Sequence, residues 1–236
     1  MKLIRSLLPL LGILMTPQPT ANGDPGELLE PLRPAVQRAL SESYKLPSTR
    51  QDLLDDAARQ IVNAIRELGG CDLIFVCTHN SRRSHLSHVW ADVAAASLGL
   101  PEIGTASGGT ETTACNPRTV QSLRRLGFSV VRSTFSENPI YLVQSRENAP
   151  PVRVYSKAFH DPENPQQNFF AMMCCSDADE ECPLIPGSLG RVALHYEDPK
   201  VSDNTPEEGE VYDTRSRQIA SEMFYLMRRV KEMRAE

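Results

Sequence analysis

The sequence predicts an α/β fold, a three-layer sandwich around a mostly parallel central sheet with a helical extension ahead of it. Leu73-Ile74-Phe75-Val76 is a continuous apolar run, the pattern of a strand covered on both faces. From Cys71 onward, strand-like and helix-like stretches alternate along the chain. The 236 residues are 40% apolar and 23% charged, as in an ordinary globular domain with additional segments.

Residues 1–23 carry Lys2 and Arg5, an apolar run from Leu7 to Met15, and then small and polar residues. That order predicts a signal peptide and hence export to a periplasmic or extracellular space, with a cytoplasmic protein expected if the segment is not a signal. The run is shorter than the roughly 20 residues a membrane span needs, and no other segment is expected to cross a bilayer. Residues 24–46 read as a linker with one short helix over 34–42. Ser48-Thr49-Arg50-Gln51 resembles a capping box opening an amphipathic helix that Gly69-Gly70 ends. Helices are expected over 84–98, 117–126 and 214–233. Strands are expected over 128–131, 140–143, 152–154, 169–173 and 191–196. The chain thus divides into residues 1–23, residues 24–70, and an α/β domain over 71–236.

Lys and Arg total 25 against 30 Asp and Glu, a net charge of −5. A general nucleic-acid binder needs a basic face, so that class is not expected. Cysteines 71, 77, 115, 174, 175 and 182 are too few and too unevenly spaced for a disulfide scaffold, but they suffice for nucleophilic or redox chemistry. Cys71 and Cys115 read as packing residues.

Cys77-Thr78-His79-Asn80-Ser81-Arg82-Arg83-Ser84 is a C-x5-R-S sequence between the buried strand and a helix start. A tight loop there turns backbone N–H groups inward at the positive end of a helix, which suits a small oxyanion. Arg83 offers a planar fork of donors to two of its oxygens. The same donors stabilise a thiolate at Cys77, a nucleophile towards the central atom of the bound anion. Ser84 can hydrogen-bond that thiolate. Thr78, His79, Asn80, Ser81 and Arg82 complete the candidate oxyanion-binding set.

Cys175 and Cys182 flank an acidic segment and fit a disulfide, buried packing thiols or, with poor spacing, a metal pair; none is expected to be a metal site. Beside an activated Cys77 they suggest a relay of three thiols. Asp198-Pro199 follows a predicted strand, where Asp198 is either a general acid or the start of a turn.

In order along the chain, the C-x5-R-S loop, the Asn116-Pro117 helix, the Cys175 to Cys182 stretch and Asp198-Pro199 resemble the low-molecular-weight protein-tyrosine-phosphatase superfamily, and within it the thioredoxin-coupled arsenate reductases. The resemblance covers about 71–234. It implies that Cys77 attacks arsenate, Asp198 protonates the departing oxygen, Cys175 attacks Cys77 with release of arsenite, and Cys182 carries the disulfide outward. It implies no bound cofactor, a small oxyanion as substrate, and thioredoxin or a similar thiol reductant as electron donor. His79 and Arg82 stand where the loop usually has a small residue and a cysteine. No carboxylate stands at His88, where the reductases' potassium site has one. Lys200 and Val201 replace the aromatics that phosphatases place after Asp-Pro. The other functions kept open are hydrolysis of phosphotyrosine or another phosphomonoester through a phosphocysteine, and a non-catalytic oxyanion-binding or redox-sensing module.

Overall fold

A computed structural model of the chain describes residues 26–181 and 185–236, so the signal-like residues 1–23 and Cys182 lie outside the described residues. The apolar run of the sequence forms β1 (Cys71–Cys77), the strand on which the site is built. Leu73, Ile74, Phe75 and Val76 are each fully buried, and burial of each contributes about 1.5–3 kcal/mol. β2 (Ile103–Gly109) and β6 (Phe169–Met173) flank β1, and β7 (Ser188–Ala193) lies outside β6, giving the all-parallel order β2-β1-β6-β7. Strand β2 has no counterpart among the sequence expectations, because Ile-Gly-Thr-Ala-Ser-Gly-Gly lacks the usual strand composition. Its glycines serve close approach. A Cβ on Gly109 would lie 2.6 Å from the Thr78 carbonyl oxygen and 2.8 Å from the Asn80 nitrogen. The expected strand over 191–196 is displaced towards the N-terminus, since β7 starts at Ser188 and leaves the ladder after Ala193.

Helices follow the apolar periodicity. α2 (Ser48–Leu68) ends on Gly69 in the left-handed region at φ 80°, with the Gly69 N–H on the Ile65 carbonyl. Its expected capping box does not form. Pro47, at φ −56°, takes the boundary position, Ser48 is already helical, and Gln51 Nε2 donates instead to the Leu46 carbonyl at 2.7 Å. α1 (Arg33–Ser43) lies inside the segment read as a linker and packs on α6 (Glu208–Arg234), with Leu32, Val36 and Ala39 buried. α6 also packs on α2, on α3 (Arg83–Leu98) and on α4 (Pro117–Arg125). Arg50 of α2 and Glu222 of α6 form a 2.6 Å ion pair, and Tyr196 Oη donates to the same carboxylate at 2.8 Å.

Strands β3 (Ser129–Arg132), β4 (Tyr141–Gln144) and β5 (Val152–Val154) form a separate antiparallel sheet in the order β3-β4-β5. Their connections are too short for the dozen or so residues a parallel crossover requires. This sheet is tied to the parallel one beside the site. Gly109 N donates to the Lys157 carbonyl and Phe159 N to the Gly109 carbonyl, each at 2.9 Å. Among the described residues, no helix is long and apolar enough to cross a membrane.

Candidate active site

Cys77 ends β1, and the chain turns through residues 78–82 into α3. Asn80 makes the turn in the left-handed region at φ 43°, a conformation Asn tolerates better than most residues. The fully buried Asn80 side chain is held at both ends. Its Oδ1 accepts from Lys157 N and its Nδ2 donates to Ser84 Oγ, both at 2.9 Å. With that lone pair occupied, the Ser84 hydroxyl hydrogen is free for Cys77 Sγ, 3.1 Å away.

Arg83 spans the site. Its Nη1 donates to the Tyr196 carbonyl at 3.1 Å and its Nη2 to Asp198 Oδ2 at 2.8 Å. Its Nε is buried and has no hydrogen-bond partner among the described residues. Such a donor costs about 1–3 kcal/mol if it stays unmatched, and an oxyanion oxygen removes that cost. Asp198 caps a short 3-10 turn over Pro199–Ser202 by accepting from Lys200 N at 3.0 Å. The acid and turn readings of Asp-Pro are therefore compatible: one oxygen starts the turn, and the other reaches Arg83.

Other members of the candidate set face elsewhere. Arg82 Nε donates to Tyr212 Oη at 2.7 Å and its Nη2 to Asp203 Oδ2 at 3.1 Å, so its guanidinium is held by α6 and the turn after Asp198. The His79 ring lies half-exposed beside Glu111 at 3.3 Å. Ser81 Oγ donates to the Ala114 carbonyl at 2.6 Å. Thr78 Oγ1 lies 3.6 Å from Cys175 Sγ. These four side chains are engaged with the loop's surroundings. Cys71 and Cys115 are buried, and burial pushes the Cys71 thiol up to about 12, assisted by Asp72. Both read as packing residues in the structure too.

Two residues without a sequence signal buttress the loop. Ser156 Oγ donates to the His79 carbonyl at 2.8 Å and accepts from Thr113 N at 2.8 Å. Asn138 fixes Ser156 in turn, donating to its carbonyl at 2.7 Å and accepting from its N–H at 3.1 Å. Only tertiary pairing of the antiparallel sheet brings them there.

His85 and His88 on α3 are fully buried, and burial depresses both imidazoles to about 3, with the Lys157 ammonium adding to the effect. Among the described residues no group of three or more His, Cys, Asp or Glu could hold a metal.

No family model matches the chain. Among curated proteins it is similar to arsenate reductase 2 of Staphylococcus epidermidis, 27% identical over 127 residues, 54% of this chain and 77% of the relative. It is also 26% identical to arsenate reductase of Bacillus licheniformis over 136 residues, 58% of this chain and 79% of that one. Among solved structures, a low-molecular-weight phosphotyrosine phosphatase from Vibrio cholerae aligns at TM-score 0.48 and 15% identity, covering 70% of this chain and 99% of that one. With a loop of this kind on β1, the chain is similar over a little more than half its length to enzymes that are arsenate reductases.

Proposed function

We propose that the protein is an arsenate reductase whose nucleophile is Cys77. The observation that carries an oxyanion substrate is the buried, unmatched Nε of Arg83 at the helix start that closes the loop opened by Cys77. In this reading the Cys77 thiolate attacks arsenic, and Asp198 delivers a proton to the departing oxygen, which leaves as water. A second thiolate, Cys175, attacks the Cys77 sulfur. The sulfur–arsenic electron pair passes to arsenic, and arsenite leaves as a disulfide forms. Cys182 then attacks Cys175 and frees Cys77, and the dithiol of a thioredoxin-like protein reduces the Cys175–Cys182 bond. If residues 1–23 direct export, that donor is a thioredoxin-like protein of the same oxidising compartment.

A phosphatase remains the second reading, favoured by one contact: Cys175 Sγ faces Thr78 Oγ1 rather than Cys77. Hydrolysis needs only Cys77, Arg83 and Asp198. Against it, Val201, on the turn after Asp198-Pro199, is exposed and aliphatic where a phenyl ring would need an aromatic wall. The deciding experiment measures turnover of arsenate with a thioredoxin system beside turnover of an aryl phosphate. Arsenate reduction that disappears in Cys77→Ser and Cys175→Ser supports the reductase. Aryl phosphate turnover unaffected by Cys175→Ser, with no arsenate reduction, assigns the phosphatase.

A further inference from the structure

We propose that Arg82 is a positioning residue for the proton donor: it holds the turn that carries Asp198 against the site while Arg83 engages the oxyanion. This rests on the reading of Asp198 as the acid. Arg82 and Arg83 are consecutive where the Cys77 loop enters α3, and they reach the two ends of one short turn. Asp198 and Asp203 bound the 3-10 turn over Pro199–Ser202. Arg83 Nη2 donates to Asp198 Oδ2 at 2.8 Å, and Arg82 Nη2 donates to Asp203 Oδ2 at 3.1 Å. A fully buried phenol completes the second grip. Tyr212 Oη accepts from Arg82 Nε and donates to Asp203 Oδ1, each at 2.7 Å, so Arg82, Tyr212 and Asp203 close a ring of three hydrogen bonds. Burial, helped by Asp203, pushes the Tyr212 phenol up, and it keeps the proton it donates. Arg118 Nε of α4 adds a second cation at 3.6 Å from Asp203 Oδ1.

The turn transmits this grip because it is internally bonded. Lys200 N donates to Asp198 Oδ1 at 3.0 Å, Ser202 Oγ to the Pro199 carbonyl at 2.8 Å, and Asp203 N to the Lys200 carbonyl at 3.0 Å. The two arginines therefore differ in what a ligand can ask of them. Arg83 has a buried, unmatched Nε, and an oxyanion competes with Asp198 for its guanidinium. Arg82 is largely buried and committed to Tyr212 and Asp203, so it keeps its partners when Arg83 changes its own. Arg82 Nε also lies 4.0 Å from Asp198 Oδ1, which leaves a cation beside that carboxylate throughout. Arg82 donates no proton to substrate; the proton still passes from Asp198 to the departing oxygen. Without the ring at Asp203 the acid drifts, and a misplacement of about 1 Å is enough to cost about 10²-fold in rate.

The test measures turnover of arsenate with a thioredoxin system, and of an aryl phosphate, in the full chain and in Arg82→Gln, Arg82→Lys, Tyr212→Phe, Asp198→Asn and the Arg82→Gln/Asp198→Asn double variant. Arg82→Gln should lower kcat about 10- to 100-fold with KM changed less than about twofold, and Arg82→Lys should recover part of the loss. The double variant should be no slower than Asp198→Asn, since a positioning residue has nothing to position once the acid is gone. Full turnover in Arg82→Gln, or a loss that multiplies with that of Asp198→Asn, overturns the proposal. Asp198→Asn with parental turnover instead removes the proton-donor reading, and the role of Arg82 falls with it. A second readout needs no turnover: hydrogen exchange of the Lys200 to Asp203 amides with and without inorganic phosphate. Phosphate should leave that exchange unchanged in the parent and speed it in Arg82→Gln and Tyr212→Phe; unchanged rates in both variants overturn the proposal. Tyr212→Phe, which deletes only a hydroxyl, decides the matter if Arg82→Gln does not fold.

Discussion

Acid should loosen this protein through two histidines on the helix that carries Arg83. His85 Nε2 lies 3.2 Å from the Tyr155 carbonyl, and His85 and His88 sit together near Lys157 with folded values of about 3 against 6.5 for the free side chain. Both rings are neutral in the folded chain, and in the unfolded chain they take up protons below pH 6.5. Their contribution is therefore complete above that pH and is lost as the pH falls from 6.5 towards 3. At 1.36 kcal/mol per pH unit, the full effect is about 5 kcal/mol for each ring, of which about 2 kcal/mol appears between pH 7 and pH 5. The pair together should cost about 4 kcal/mol over that interval. In His88→Gln the same interval should cost about 2 kcal/mol less. Urea unfolding at pH 7 and pH 5 measures this, with fluorescence of the single, buried Trp90 as probe. An identical pH 7 to pH 5 loss in the parent and in His88→Gln would refute the assignment of that sensitivity to His88.

Asp198→Asn should lower turnover by about 10²–10⁴ and flatten the limb of the pH–rate profile that reports the proton donor, as steady-state kinetics will show. Gly109→Ala should reduce turnover strongly with little loss of strand content, since its new Cβ would meet Thr78 and Asn80 atoms at 2.6 and 2.8 Å; unchanged kcat would contradict the close approach. Arg50→Met should destabilise by about 3–5 kcal/mol in denaturant titration, because it leaves the Glu222 carboxylate buried without its cation. Ser156→Ala removes one bond to the His79 carbonyl and one from Thr113 N, and should lower kcat more than it raises KM, with Ser156→Thr restoring part of the loss.

The strand, loop and helix carrying Cys77, Arg83 and Ser84 were legible because each rests on a local signal: an apolar run, a short polar turn, and an Ala-rich helix. β2 was not, since its glycines answer to Phe159, Thr78 and Asn80, which are distant in sequence. The capping box misled for a related reason, as Pro47 claims the boundary that Ser48 seemed to hold. Arg82 looked like part of the anion site from spacing alone, and only the fold brings Tyr212 and Asp203 to its guanidinium. The same limit applies to the adjacent cysteines 174 and 175. The sequence reads Cys175 and Cys182 as the pair, whereas strand register, which spacing does not encode, pairs Val76 with Met173 and leaves the Cys174 N–H on the Val76 carbonyl.

The ion pair between Arg83 and Asp198 has a consequence for how the site fills. Each group is a counter-ion of the other, so in the proposed function an oxyanion competes with the Asp198 carboxylate for Arg83. A proton on Asp198 would weaken its hold on Arg83 and supply the acid that this reading requires. Binding and proton delivery would then be coupled: the event that frees the arginine for its ligand would also arm the proton donor.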